Sequence, residues 1–293
     1  MRVPLSTLTL KRHIPWQVKI GAKMLLARLP IGYRIWRRLN LFKHGAMERP
    51  EYAFDVFHNH YRAAFGESKE ASFVGLELGP GDSLFSAVIA RAFGASKVYL
   101  VDAGAFATWD ANLYRQMVAL LRARGFAVGD LKDCKDVSQV LSVCRAEYLT
   151  NGLNSLRAVP SQSVDFIWSH TVFQHIRKAD FLETLKELRR IQRPSGVGSH
   201  RVDLRDCIGG ALNNLRFQER TWESDFWVKS GFYTNRIRYT EMMNLFRIAG
   251  FTATVREVRS WSELPTPRRK LESSFGGLSD EELVVSGFDV ILQ

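Results

Sequence analysis

Two glycines and two carboxyl groups lie close together at the end of one apolar run, and a further carboxyl group ends the next apolar run. The first run ends in ELGPGD (77–82), and the second ends at Asp102, 21 positions after Gly81. Glycines at such a turn let the backbone approach a ligand closely. An acid at the end of the second strand can accept hydrogen bonds from both hydroxyls of a ribose. This spacing is close to the ~20 residues of a nucleotide-binding βαβ unit, so these residues predict a nucleotide site.

The glycine turn departs from the dinucleotide fingerprint G-x-G-x-x-G, because Leu84 stands where a third glycine would be needed. Glu77, two residues before the first glycine, would repel a phosphate and suits an ammonium group. S-adenosylmethionine carries an amino group, a sulfonium and a ribose but no phosphate. The residues therefore favour S-adenosylmethionine as the cofactor, with a phosphate-free βαβ turn in another α/β protein as the alternative.

Residues 77–81 resemble the E/D-x-G-x-G motif of class I S-adenosylmethionine-dependent methyltransferases, with Ser83 in place of the third glycine often seen in that family. The resemblance implies that one group of residues contacts the cofactor: Glu77, Gly79, Pro80, Gly81, Asp82, Asp102 and Ala103. Thr150 and Asn151, which follow the predicted third strand, are expected to border the adenine. Ser169 is expected to line the pocket near the adenine or the methyl group.

Apolar runs alternate with helix-like runs from residue 73 onward, which predicts a mostly parallel sheet covered on both faces. The predicted strands are 73–79, 97–102, 146–150, 164–169, 199–205, 252–259 and 286–292. The predicted helices are 50–66, 84–93, 108–124, 134–145, 179–192 and 239–249. The last two strands have no crossover helix between them and are predicted to pair antiparallel. The fold class is thus α/β, a doubly wound seven-stranded Rossmann-like methyltransferase sheet with an antiparallel last strand.

Two histidines follow the predicted fourth strand, where ligands of open α/β sheets bind. Residues 163–176 resemble the fourth motif of class I methyltransferases, in which a strand runs into a loop ending in x-H-[IV]. Methyl transfer to a hydroxyl needs a base, and histidine titrates in the right range. We expect His175 to be this base, with His170 as the second candidate. The histidine of this loop only shapes the loop in some relatives, which is the alternative.

Asp203 and Asp206 end the predicted fifth strand and face the same pocket. Two carboxylates could hold Mg²⁺, which some sugar O-methyltransferases use. Salt bridges to Arg201 or Arg205 are the favoured interpretation. No metal is therefore predicted, with Mg²⁺ at Asp203 and Asp206 as the alternative.

An insertion over residues 207–238 is rich in aromatic, amide and arginine side chains. Planar rings beside amides suit a polar, ring-shaped ligand such as a sugar, and the same aromatics could instead form the core of a lid. Residues near 45 and within the insertion resemble segments of bacterial methyltransferases linked to surface-polysaccharide or glycolipid synthesis. The predicted substrate-binding residues are Asn214, Arg216, Trp222, Tyr233, Asn235 and Arg236.

Nearly all of the net charge of +11 lies at the N-terminus, because residues 1–47 contain ten Lys and Arg and no Asp or Glu. Basic amphipathic runs with tryptophan suit an anionic membrane surface. Packing of this segment on the main domain is an alternative of equal weight. Nucleic-acid binding is not favoured, because the sequence contains no recognisable nucleic-acid-binding motif. The start also resembles a mitochondrial transit peptide, although it has few serines. Three cysteines without close pairing and the lack of a long apolar run predict a cytoplasmic protein. The basic N-terminus adds a peripheral position on the inner face of the membrane as an expectation.

The sequence thus predicts a basic helical extension (1–70) and a methyltransferase domain (71–293) with a lid-like insertion. The predicted activity is methyl transfer from S-adenosylmethionine to an acceptor oxygen, on a saccharide or glycan precursor. The alternatives are a quinone, lipid or other small metabolite as acceptor, a nucleic acid as acceptor, and a catalytically silent scaffold that binds the cofactor. The sequence indicates no oligomeric state.

Overall fold

Seven strands form one mixed sheet in the computed structural model, which describes residues 46–67 and 72–293. Their order across the sheet is β3-β2-β1-β4-β5-β7-β6, and only β7 runs antiparallel to its neighbours β5 and β6. The strands are β1 (Phe73–Leu78), β2 (Ala95–Val101), β3 (Ala146–Leu149), β4 (Val164–His170), β5 (Gln192–Asp203), β6 (Ala253–Ser260) and β7 (Val285–Leu292). This order confirms the predicted fold class.

Helices cover both faces of the sheet. The longer ones are α1 (Pro50–Phe65), α2 (Phe85–Ala92), α3 (Ala111–Ala123), α4 (Val137–Val143), α5 (Gly152–Ala158), α6 (Lys178–Ile191) and α9 (Tyr239–Ile248). Four single turns complete the described helices: α7 (Glu219–Trp222), α8 (Asp225–Val228), α10 (Ser273–Gly276) and α11 (Asp280–Leu283). All six predicted helices are present, whereas the short crossover α5 was not predicted.

Strand β5 begins seven residues before its predicted start at 199, at Gln192. Its pairing with β4 shifts register between Val164 and Phe166, so the chain bulges around Pro194 and Gly196. The buried amide of Gln192 holds this bulge, since its Nε2 donates to the carbonyls of Gly196 (2.8 Å) and Leu292 (3.2 Å). A proline and a glycine in the sequence suggest a turn at this point, which explains the later predicted start.

Helix α1 packs on the sheet and joins the main hydrophobic core. The ring of Phe57 meets Trp168 of β4 edge-on at 5.2 Å, and that of Tyr61 meets Phe166 edge-on at 6.0 Å. The sequence assigned α1 to the N-terminal extension, but in the structure it covers the strands that carry the candidate site. Residues 1–45, which contain nearly all of the predicted membrane-binding segment, lie outside the described residues.

The opposite face of the sheet is covered mainly by α6 and α9, with Phe181, Leu185 and Phe246 fully buried. Two smaller apolar clusters lie in the insertion and in the segment before β7. Within residues 46–67 and 72–293, no helix combines the length and apolar character that crossing a membrane requires.

Candidate active site

The glycine turn after β1 needs both of its glycines. Gly79 and Gly81 have φ values of 74° and 68°, a backbone conformation that residues other than glycine rarely adopt. A Cβ added to Gly79 would lie 2.5 Å from Cγ2 of Val172, in the loop after β4. The first glycine is therefore fixed by both backbone conformation and close contact.

Asp102 stands beside this turn, as the spacing predicted. Its carboxylate is buried and accepts hydrogen bonds from the backbone N–H groups of Gly81 (2.9 Å) and Ala103 (2.7 Å). A carboxylate can accept about four hydrogen bonds, so these two are compatible with additional bonds from ribose hydroxyls. The backbone of Asp102 also accepts from Gly152 N (2.8 Å), which brings the predicted adenine border, Thr150 and Asn151, next to it.

Glu77 is buried between β1 and α2. The Ser86 hydroxyl donates a hydrogen bond to its Oε2. Burial raises the pKa of Glu77 to about 7, and the bond from Ser86 offsets part of that rise. The indole N–H of Trp168 lies near enough to lower this pKa slightly, although its geometry falls short of a hydrogen bond. Asp82 and Pro80 are buried in the same turn.

The turn after β4, residues 171–176, lies against the glycine turn and carries His175. Thr171 has a φ of 58°, an outlier for a β-branched residue, and its N–H donates to the carbonyl of Arg201 on β5 (2.8 Å). Strained backbone of this kind clusters at functional sites. This conformation directs the chain so that Val172 contacts Gly79 and His175 reaches the surface.

The ring of His175 is held by the insertion. Its Nδ1 lies 2.9 Å from the backbone carbonyl of Tyr233. A carbonyl oxygen can only accept, so Nδ1 carries the proton, and in the neutral ring Nε2 carries the basic lone pair. The structure thus gives His175 the tautomer that a base acting through Nε2 requires.

His170, the second candidate base, belongs to a buried polar group between α1, β4 and β5. Its Nδ1 lies 3.2 Å from Nε2 of His60, whose Nδ1 lies 2.9 Å from the Ser199 hydroxyl. Burial, followed by the charge of Arg201, lowers the pKa of His170 to about 4. Burial, reinforced by His170, lowers the pKa of His60 well below its usual range. His170 is therefore neutral and engaged with α1.

Ser169 points to the other face of the sheet. It is fully buried, and its hydroxyl lies 2.8 Å from Nδ1 of His200, which stacks on Phe173 at 4.6 Å. Burial lowers the pKa of His200 to about 3. The cofactor contact predicted for Ser169 stays a prediction, and in the structure its hydroxyl joins β4 to β5.

A cavity of about 380 Å³ opens beyond the carboxyl ends of β4 and β5. The turn after β4 and the loop after β5 provide its walls: Thr171, Gln174, His175, Asp203, Arg205, Asp206, Cys207 and Gly210. A larger cavity of about 490 Å³ lies near the amino ends of the same strands, lined by α6 and residues 161–162 and 192–194. We assign the site to the smaller cavity, because ligands of open α/β sheets bind beyond the carboxyl ends of the strands.

Asp203 and Asp206, the two carboxylates of the alternative Mg²⁺ site, both have partners within the chain. Asp203 forms a two-point ion pair with Arg205 (2.7 and 2.9 Å), which is the favoured interpretation of the sequence. Asp206 accepts from five backbone N–H groups between Ile208 and Asn213 and from the Asn213 side chain. No group of three metal-ligating side chains occurs in the part of the chain that the structure describes.

Most of the predicted substrate-binding residues are buried inside the insertion. The Trp222 indole donates to the carbonyl of Thr234 (2.7 Å), Asn214 to the Thr234 hydroxyl (2.9 Å), and Arg236 pairs with Glu219 (2.7 Å). Arg216 is half-buried. Substrate contact by this set stays a prediction, and the structure gives its buried members a structural role.

Five cavity residues were not predicted as site residues: Thr171, Gln174, Arg205, Cys207 and Gly210. The only sequence signal for them was their position just after a strand that carries chemistry. The same signal marks the neighbouring His175 and Asp206, whose side chains have the more recognisable chemistry.

Residues 76–198 match the family model described as a methyltransferase domain. The matched residues run from β1 into β5, and the seven-stranded sheet with its antiparallel β7 is the Rossmann-like methyltransferase fold. No curated protein matches the sequence.

Solved structures of methyltransferases are similar in fold. An S-adenosylmethionine-dependent methyltransferase from Mesorhizobium loti is 16% identical, with 85% of this chain and 98% of that chain covered and a TM-score of 0.41. One from Aquifex aeolicus is 14% identical, with 89% and 98% covered and a TM-score of 0.39. The CurJ carbon methyltransferase is 12% identical, with 100% and 72% covered and a TM-score of 0.47.

Proposed function

We propose that this protein transfers a methyl group from S-adenosylmethionine to an acceptor oxygen, on a saccharide or glycan precursor. One observation carries the proposal: the cavity beyond β4 and β5 is lined by a histidine whose Nδ1 is held by a backbone carbonyl, and the turn that carries this histidine contacts Gly79 through Val172. The other cavity groups, Gln174 and the Asp203–Arg205 pair, are hydrogen-bonding groups suited to a hydroxylated ligand.

The glycine turn and Asp102 would hold the cofactor. The left-handed glycines keep the turn clear of side chains, and the buried Asp102 carboxylate is suited to ribose hydroxyls. Glu77 is suited to the ammonium group of the cofactor. The turn needs no phosphate-binding group, because S-adenosylmethionine carries no phosphate. When bound, S-adenosylmethionine supplies a methyl group activated by a sulfonium.

His175 would take the proton of the acceptor hydroxyl at Nε2. The Tyr233 carbonyl orients the ring and favours the neutral tautomer that can accept a proton there. Thr171 and Gln174, from the same turn, border the space in which the acceptor must lie. Holding the hydroxyl between these groups supplies the orientation that a reaction of two bound molecules needs.

Calorimetric binding of S-adenosylhomocysteine tests the cofactor site. We expect binding to the wild type that weakens by about 1–3 kcal/mol in Asp102→Ala, because ribose hydroxyls would lose a buried partner. Asp165→Ala is the matched control, since Asp165 pairs with Arg193 at the amino end of β4, away from the glycine turn. If the wild type shows no binding, the cofactor assignment fails, and with it the proposed methyl transfer.

Transfer of a labelled methyl group tests the acceptor. Purified glycan intermediates, lipid extracts and RNA are incubated side by side with wild type and His175→Gln. We expect label only in the glycan sample, and a rate about 100-fold or more lower in the variant. Label in the lipid or RNA sample would transfer the proposal to that class, and an equal rate in the variant would remove His175 as the base.

The basic N-terminus supports the proposal that this reaction takes place at a membrane surface. Ten cationic residues without an acidic one would attract residues 1–47 to an anionic membrane, at about 1 kcal/mol for each charge near the surface. In the full chain, replacing Arg34, Arg37 and Arg38 by Gln should reduce sedimentation with anionic vesicles. Equal sedimentation of the variant would refute membrane attachment through these charges.

A further inference from the structure

We propose that Asn235 is a positioning residue, which fixes the ring orientation and tautomer of His175 from the insertion. The proposal rests on the proposed role of His175 as base. Asn235 is fully buried, and this role requires no contact between its side chain and an acceptor. Its side chain instead connects the insertion to both ends of the helical turn that carries His175.

The amide of Asn235 uses its hydrogen-bonding groups to clamp that turn. Its Nδ2 donates to the carbonyl of Phe173 (2.8 Å) and to that of Ile176 (3.0 Å), on either side of His175. Its Oδ1 accepts from Ile237 N (3.1 Å), which sets the amide orientation, because exchanging O and N would place the oxygen against two carbonyls.

The backbone around Asn235 strengthens the same clamp. Asn235 N donates to the carbonyl of Gln174 (2.7 Å), so three carbonyl groups of the turn are bound by one residue. Two positions earlier, the Tyr233 carbonyl accepts from Nδ1 of His175. The Tyr233 hydroxyl accepts from Lys178 N (3.1 Å) and donates to Glu223, which fixes the position of that carbonyl. Asn235 therefore sets the distance between His175 and the carbonyl that fixes its tautomer.

The opposite side of the turn shows why such a clamp matters. Val172 contacts Gly79, so the turn lies between the cofactor turn and the insertion. A displacement of about 1 Å in a reacting group can cost about 100-fold in rate. Without the Asn235 side chain, the carbonyls of Phe173 and Ile176 lose their shared donor, so the turn holds the ring of His175 less firmly against the Tyr233 carbonyl.

The tautomer itself is the decisive measurement, because it needs no acceptor. The ring nitrogens of the seven histidines are observed by NMR in protein labelled at histidine with nitrogen-15, and His175→Gln identifies the signals of His175. We expect the Nδ1–H tautomer in the wild type and a mixture of tautomers in Asn235→Ala. We also expect kcat to fall by about 10- to 100-fold in this variant, with the affinity for S-adenosylhomocysteine unchanged.

Gln192→Ala is the matched control. Gln192 is also a buried amide whose side-chain nitrogen donates to two backbone carbonyls, but it lies at the amino end of β5. This variant should lower the melting temperature to a similar degree and leave both the His175 tautomer and kcat unchanged. If Asn235→Ala does not fold, Asn235→Ser retains one hydroxyl donor and should give an intermediate kcat.

Two results would overturn the inference: an Nε2–H tautomer in the wild type, or an unchanged tautomer and kcat in a folded Asn235 variant. A different result would overturn only the proposed function. If His175→Gln keeps full activity, His175 is not the base, while the tautomer measurement still decides whether Asn235 orients its ring.

Discussion

Replacing Glu77 by Gln should stabilise this protein in mildly alkaline solution. The two side chains have nearly the same shape, and a glutamine oxygen can accept the hydrogen bond that the Ser86 hydroxyl donates to Glu77. The substitution therefore removes the ionisable group and little else. Since the carboxyl is buried, its ionised form is the costly one.

The magnitude follows from the pKa of Glu77 in the two states. Burial raises the pKa from the usual 4.5, which applies to the unfolded chain, to about 7 in the folded protein. Between these values the folded state holds a proton that the unfolded state has lost, so stability falls as pH rises from 4.5 through 7. Each pH unit is worth about 1.4 kcal/mol, which gives a total of about 3 kcal/mol above pH 7. The Glu77→Gln variant has no carboxyl to ionise at this position and so escapes this loss.

Urea unfolding at pH 5 and pH 8.5 measures this difference. We expect a difference below about 1 kcal/mol at pH 5, just above the usual pKa of 4.5, and a variant more stable by about 3 kcal/mol at pH 8.5. Glu183→Gln is the control, because Glu183 is half-exposed in a surface pair with Lys186. Equal stability of wild type and Glu77→Gln at pH 8.5 would refute the reasoning. If Glu77 also holds the cofactor ammonium, the stabilised variant should bind S-adenosylhomocysteine more weakly.

Three further outcomes are expected. Gly79→Ala should lose about 1 kcal/mol or more of stability, together with calorimetric binding of S-adenosylhomocysteine, because alanine disfavours the φ of 74° and its Cβ would meet Val172. His200→Gln should lose less stability than the wild type between pH 6.5 and 3, as measured by urea unfolding. The unfolded histidine takes up a proton below pH 6.5, whereas the buried one, whose pKa is about 3, does not. Trp222→Ala should lower stability by about 3–5 kcal/mol in the same assay, since the side chain is fully buried in the insertion core.

The sheet could be predicted from the sequence because its strands are short apolar runs separated by turn residues, and these signals are local. The antiparallel end of the sheet was also predicted, since the sequence shows no obvious crossover helix between the last two strands, and the structure has only short helical turns there. The start of β5 was missed because Pro194 and Gly196 belong to a bulge that Gln192 stabilises across the sheet, and that contact spans 100 residues.

The site was only partly predictable for the same reason. The positions of Gly79, Asp102 and His175 follow from strand ends, which the sequence reveals. The partners of the polar side chains do not, because Asn235 binds carbonyls about 60 residues earlier and His170 meets His60 from a helix 110 residues earlier. Aromatic and amide composition predicts a ligand surface in the insertion, whereas the burial and internal hydrogen bonds of most of these side chains could not be predicted from composition.

The insertion is closed at its base by a single side chain. Arg238, the last residue of the insertion, is buried. Its guanidinium donates to the carbonyl of Leu204 (3.0 Å), where the chain leaves β5, and to that of Val285 (2.6 Å), where β7 begins. A segment whose ends are fastened together can change length at small entropic cost and without pulling on the sheet. Changes of length in the middle of the insertion, away from Tyr233 and Asn235, are therefore expected to leave both the sheet and the support of His175 in place.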